Sequence, residues 1–155
     1  MLIDILLHDV KRPTTLICSY SPPNSSSTIV RRKIYSQLEK IVTPNSWLLG
    51  DLNARVGRRI STKDTYFGGM HSNTVGPCSL KNDITLNENG SSLLHIAALN
   101  NLRHVLSHFR MRDSKRWTWL HPCRTVLDHV CVPAPYMCFI SRCFTPADFE
   151  FSSEH

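Results

Sequence analysis

The chain is short of acids. Asp and Glu number 12 against 18 Lys and Arg in 155 residues, a formal charge of +6 that biases the surface toward polyanions. Long apolar runs are missing as well: no stretch approaches the ~20 residues that a membrane-spanning helix needs. The opening MLIDILLHDV carries Asp4 and Asp9 and has no basic segment before its apolar residues, so a strand is expected there and not a secretory signal. There is no G-x-x-x-x-G-K and no G-x-G-x-x-G, which leaves a nucleotide-cradling loop without support. None of the six cysteines, Cys18, Cys78, Cys123, Cys131, Cys138 and Cys143, belongs to a C-x-x-C pair, so their spacing predicts no zinc site. Most of them sit in apolar runs. That reads as ordinary structural thiols of an intracellular, nuclear or cytoplasmic protein, and not as a disulfide framework.

What is present suits one soluble globular domain: 41% of residues are hydrophobic and 19% charged. The basic residues come in small clusters, Lys11-Arg12, Arg31-Arg32-Lys33, Arg58-Arg59 and Lys115-Arg116, each ordinary for a solvated surface. Their sum favours a nucleic-acid partner. Two apolar stretches, Leu2 to Leu7 and Thr14 to Tyr20, flank HDVKRP and are expected to pair as a hairpin. After the loop from Ser21 to Ser27, Val30, Ile34, Leu38 and Ile41 recur at helical spacing, with Ser27 or Thr28 placed to cap the first turn. A strand follows over Trp47 to Asp51. The order strand, strand, helix, strand is that of an α/β protein. Residues 52 to 88 show no sustained period and form a long loop. Asn89-Gly90-Ser91-Ser92 then leads into a second helix from Leu93 that ends near Asn100-Asn101, and strands are expected over Arg116 to Leu120, Thr125 to Val132 and Met137 to Phe144.

One stretch stands apart, WLLGDLNARVG at 47–57. An apolar strand there runs into an acid, one apolar residue and an amide. Strand alternation turns Asp51 and Asn53 the same way, and the end of an inner strand is a rigid platform for a site. The plainer reading is that Asp and Asn simply begin a turn, as they often do. Further on, Asp128 lies in TVLDHVCV, whose apolar neighbours predict burial and hence a partner for the acid. His129 reads as a satisfied or exposed strand residue. The remaining ionisable candidates are Glu154 and His155 at the end of the sequence, with Tyr20 as a polar neutral.

GDLNARVG at 50–57, ENGSSLLHIAALNNL at 88–102, KRWTWLHP at 115–122, TVLDHV at 125–130 and the closing SSEH occur in that order. So arranged, and preceded by RPTTLICSYSPPN, the chain resembles the endonuclease/exonuclease/phosphatase superfamily. The likeness is to its branch of LINE-type retrotransposon endonucleases and craniofacial development protein 2-like proteins. It runs over essentially the whole sequence, and GDLNARVG is its most specific part. The resemblance implies a DNase I-like four-layer α-β-β-α sandwich, with the site at one rim of the sheets and phosphodiester hydrolysis dependent on a divalent metal, usually Mg²⁺. Asp51 then matches the carboxylate that positions and activates the attacking water, and Asn53 the amide that helps hold the phosphate. Tyr20 matches a phosphate-contacting tyrosine, Asp128 the acid that orients the catalytic histidine, and His155 that histidine. Glu154 stands where the superfamily has the Asp of Ser-Asp-His, a metal-side position.

The same comparison exposes departures. No residue of MLIDILLHDV matches the glutamate that is the superfamily's principal magnesium ligand, Thr125-Val126 replaces the usual polar residue before Asp128, and Glu154 adds a methylene to its position. His155 would carry a free carboxylate beside its ring. The expectation is a partial domain over 1–155, incomplete at both ends, that binds Mg²⁺ poorly and is weak or inactive as it stands. Its partner is nucleic acid, DNA in preference to RNA. The alternative is a noncatalytic relic that binds nucleic acid or protein through its basic surface.

Overall fold

A computed structural model describes residues 2–5, 14–57, 74–76, 85–110, 117–118 and 125–144. Its elements in chain order are β1 (Leu2–Ile5), β2 (Thr15–Cys18), α1 (Thr28–Ile41), β3 (Ser46–Asp51), α2 (Glu88–Leu99), β4 (Leu102–His104), β5 (Asp128–Pro133) and β6 (Ile140–Phe144). Short 3-10 helices cover Val105–His108 and Ala134–Phe139. The fold is mixed α/β, with a four-stranded sheet in the order β2-β3-β5-β4. No helix among the described residues is long and apolar enough to cross a membrane.

Strand β3 is the axis of that sheet. It pairs in parallel with β2, to which α1 connects it, and antiparallel with β5. Because both faces of the sheet are covered, β3 reads as a continuous apolar run and not as an alternating one. Leu48 joins Tyr35 and Leu38 of α1, Leu93 and Ile96 of α2 and Cys131 of β5 in a core on the helical face. Trp47, Val130 and Val132 bury against Ile140 and Cys143 of β6 on the opposite face. Strand β6 pairs with β1 in a second, two-stranded sheet. Helices, larger sheet and smaller sheet therefore lie in sequence through the molecule.

Several expectations change. β1 and β2 do not form a hairpin, since β1 pairs with β6 and β2 with β3. Helix α1 turns a different stripe inward: Arg31, Tyr35 and Leu38 are buried, while Val30 and Ile41 are exposed. The cause is polar. The Arg31 guanidinium reaches Asn24 O at 2.6 Å, Ser26 O, Thr28 Oγ1 at 3.2 Å and Glu88 Oε2 at 2.7 Å, so burying it closes the loop before α1 onto the start of α2. Ser27 is the residue before α1, but its side chain makes no capping bond. Helix α2 begins earlier than its apolar run suggests, because the Asn87 side chain accepts the Gly90 N–H at 2.7 Å and draws Glu88, Asn89 and Gly90 into the first turn. The strand expected over 125–132 is regular from Asp128 to Pro133, and the one expected over 137–144 starts only at Ile140. Of the strand expected over 116–120, only 117–118 fall within the described residues; residues 6–13, most of the long loop, Cys78 and Cys123 lie outside them. Cys131 and Cys143 are buried and Cys18 and Cys138 exposed.

Gly50 marks where β2 and β3 come closest. Its φ is +137°, and a Cβ there would lie 1.8 Å from Ser19 O. Neither backbone can yield, since the Ser19 N–H donates to Leu49 O at 2.8 Å. Gly50→Ala is expected to destabilise the protein by more than about 2 kcal/mol in urea unfolding, whereas a change below ~0.5 kcal/mol would contradict this close approach.

Candidate active site

Asp51 closes β3 and Asp128 opens β5, and the two face each other in register. The neighbouring pair is the hydrogen-bonded one, with the Leu52 N–H donating to Leu127 O at 3.1 Å. Alternation along an antiparallel ladder then makes Asp51 and Asp128 a non-hydrogen-bonded pair, the kind whose side chains lie closest, with Cα atoms about 4.5 Å apart. The Asp128 N–H is turned away and donates to Thr118 Oγ1 at 3.1 Å. Asp128 is half-buried and not buried as its apolar neighbours suggest, because it stands at the first position of its strand.

The two acids share a face. Asp51 follows Trp47 and Leu49 by strand parity, and Asp128 precedes Val130 and Val132, so both are on the side of the smaller sheet. Tyr20 belongs there too. The parallel ladder runs on past Cys18, with the Ser19 N–H on Leu49 O at 2.8 Å and the Ser21 N–H on Asp51 O at 2.9 Å, which sets Tyr20 beside Asp51. Its ring is largely exposed.

Asn53 does not continue the strand. Its φ is +44°, so the alternation that would align it with Asp51 stops at the end of β3. Instead the Asn53 N–H donates to Asp51 Oδ1 at 3.0 Å, and the Asn53 side chain donates through Nδ2 to Ser21 O at 2.9 Å. The turn reading and the site reading of this stretch describe one arrangement: the turn orients the carboxylate and ties it to the loop that carries Tyr20.

Two further asparagines hold this turn. The buried Asn89 amide donates to Pro22 O at 3.0 Å and shares its hydrogens with Leu52 O and Asn53 O, each at 3.3 Å. Asn87 donates to Asn53 O at 3.0 Å and accepts the Arg55 N–H at 2.9 Å. The Tyr35 hydroxyl donates to Leu52 O at 3.0 Å. Sequence reasoning missed both asparagines, although an Asn one residue before Glu88 is a recognisable helix cap.

Electrostatically the rim is unfavourable for two free carboxylates. Burial pushes the Asp51 carboxyl above its ordinary value, the Asn53 N–H opposes that, and the Asp128 charge adds to it. Like charges directly opposite in a sheet are destabilising, so a proton or a cation is welcome here. Among the described residues no three His, Cys, Asp or Glu side chains come together as a metal-ligand group. Glu154 and His155 lie outside the described residues. Tyr20, Asp51, Asn53 and Asp128 are the predicted site residues that the fold brings to one rim. No protein-family model matches the chain, and neither does any curated protein or solved structure.

Behind the rim lies His104, which is fully buried and held well below the ordinary imidazole range, first by that burial and then by the neighbouring His129 and His108 rings. A depressed value means that the unfolded chain takes up the proton first. The stability His104 contributes is present above ~6.5, the unfolded imidazole value, and is lost as pH falls below it. Urea unfolding between pH 7 and pH 5 is expected to lose up to about 1.4 kcal/mol per pH unit from this one site, and His104→Gln to show a shallower slope. Equal slopes in the two proteins would contradict a neutral buried His104. Asp51, whose value is raised, acts with the opposite sign, its contribution being lost as pH rises.

Proposed function

We propose that this chain is part of a divalent-metal-dependent phosphodiesterase, an endonuclease domain of retroelement type that acts on nucleic acid, DNA in preference to RNA. The observation that carries this reading is the facing pair Asp51 and Asp128, with Tyr20 on the same side and Asn53 folded against Asp51. Helices, larger sheet and smaller sheet follow the order of three of the four layers of the α-β-β-α sandwich of the superfamily that the sequence resembles, which supports this reading.

In this reading Asp51 accepts a hydrogen bond from the attacking water and takes its proton as the new P–O bond forms. Its orientation is set in advance by the Asn53 N–H. Asn53 has two side-chain N–H groups; one is committed to Ser21 O, and the other donates to a non-bridging phosphate oxygen. The exposed Tyr20 hydroxyl donates to the same phosphate. By the resemblance, Asp128 would orient His155, whose ring would stabilise the developing charge or protonate the leaving oxygen as the old P–O bond breaks.

Two neighbouring carboxylates, one of them raised by burial and by the other's charge, fit a hard cation, and magnesium takes one or two protein carboxylates while keeping waters. Asp51 and Asp128 would hold it, with Glu154 added by the resemblance. When bound it supplies charge neutralisation at the phosphate. With two carboxylates and no third ligand grouped with them among the described residues, affinity is weak and turnover slow. Supercoiled plasmid is expected to be nicked slowly with Mg²⁺ and not with EDTA, and Asp51→Ala or His155→Ala to lower the rate by about 10²-fold or more. Equal nicking by wild type and both variants would sink the enzyme reading. Salt-sensitive retention of labelled DNA that survives Asp51→Ala, without nicking, would favour the noncatalytic binder.

A further inference from the structure

A buried pair of imidazoles, used by none of the chemistry above, stands behind the rim. His129 lies on β5 and His104 on β4, both almost wholly buried. His129 Nε2 is 2.7 Å from Ala54 O, and a carbonyl oxygen can only accept, so the hydrogen sits on Nε2. The other nitrogen, Nδ1, is 2.9 Å from His104 Nε2. In the neutral ring Nδ1 accepts, so His104 Nε2 must donate. Among the described residues His104 Nδ1 has no hydrogen-bond partner, and this assignment leaves a bare lone pair there instead of a buried, unpaired N–H. The reverse tautomer of His104 would strand a donor at that position and put two lone pairs face to face between the rings. One order satisfies the chain: His104 to His129, and His129 to Ala54 O.

Ala54 is the far end of the turn that begins at Asp51. It is fully buried and its methyl side chain makes no hydrogen bond, so its carbonyl holds this end of the turn from inside, as Leu52 O and Asn53 O hold its middle through Tyr35 and Asn89. The near end is fixed by the Leu52 N–H on Leu127 O. Between the two ends lie the Asp51 carboxylate and the left-handed Asn53 that orients it.

We propose that His129, locked in its Nε2–H tautomer by His104, is a positioning residue for the rim: by holding Ala54 O it sets the turn that aims the Asp51 carboxylate, and it touches no substrate. Its catalytic consequence rests on the phosphodiesterase reading, but the positioning itself is read without any activity assay. The experiment is nuclear magnetic resonance on the full chain. In the wild type, ring ¹⁵N shifts are expected to show protonated Nε2 and bare Nδ1 on both His129 and His104. Finding a hydrogen on His129 Nδ1 would overturn the proposal with no variant needed. In His129→Phe, exchange of the Asn53 amide hydrogen is expected to accelerate about tenfold, as for loss of one hydrogen bond, while that of Leu48 changes much less. His129→Gln, which offers a side-chain N–H to Ala54 O, is expected to restore most of the Asn53 protection. Unchanged exchange at Asn53 in His129→Phe, or equal acceleration at Asn53 and Leu48 that His129→Gln fails to reverse, would overturn it. A plasmid that is never nicked would sink the phosphodiesterase reading and leave these results as they stand.

Discussion

The hydrogen bond from the Leu52 N–H to Leu127 O, the last rung of the β3/β5 ladder, fixes a register on which everything else at the rim depends. A strand has a side-chain period of two, so a slip of one residue would send each side chain of β5 to the other face. His129 would leave the helical core for the smaller sheet, and Asp128 would no longer face Asp51. The apolar residues enforce the register, since Val130 and Val132 belong to one core and Cys131 to the other. The packing that stabilises the fold is therefore also what brings two acids together at its edge.

Bringing acids together is unfavourable, and for Asp51 the Asn53 N–H offsets this only in part. The rim is laced by neutral amides and backbone carbonyls, with Asn53, Asn87 and Asn89 holding three segments that are distant in sequence. These bonds fix geometry without neutralising charge. Arg31, the one buried guanidinium among the described residues, is spent on Glu88 and on the loop before α1. A rim that is rigid and acidic among the described residues, on a chain with net charge +6, is the basis of the proposal that a cation bridges it to a polyanion.

Much of this was legible in the sequence where the signal is local. Trp47 to Asp51 is a strand because it is a short apolar run, α1 is a helix because its apolar residues recur at helical spacing, and the turn after Asp51 follows from Asn53 and its neighbours. What failed was nonlocal. The partner of β1 lies more than a hundred residues away in β6, so adjacency wrongly suggested a hairpin with β2. The inward face of α1 was misjudged because hydrophobicity alone cannot reveal that Arg31 is worth burying when three carbonyl or hydroxyl oxygens and a carboxylate await it. β4 is three residues long and carries no periodic signal. The roles of Asn87 and Asn89, and the link between His104 and His129, depend on contacts across 25 to 67 residues that spacing does not encode.

The central claim is that Asp51 and Asp128 together form the point at which a divalent cation is held. Manganese, a paramagnetic stand-in for magnesium, reports even weak occupancy by broadening nearby amide resonances. The account predicts broadening concentrated on residues 19–22, 51–54 and 127–129, and its loss in Asp51→Asn. Broadening spread evenly over the surface, or a rim pattern that persists in Asp51→Asn, would contradict it.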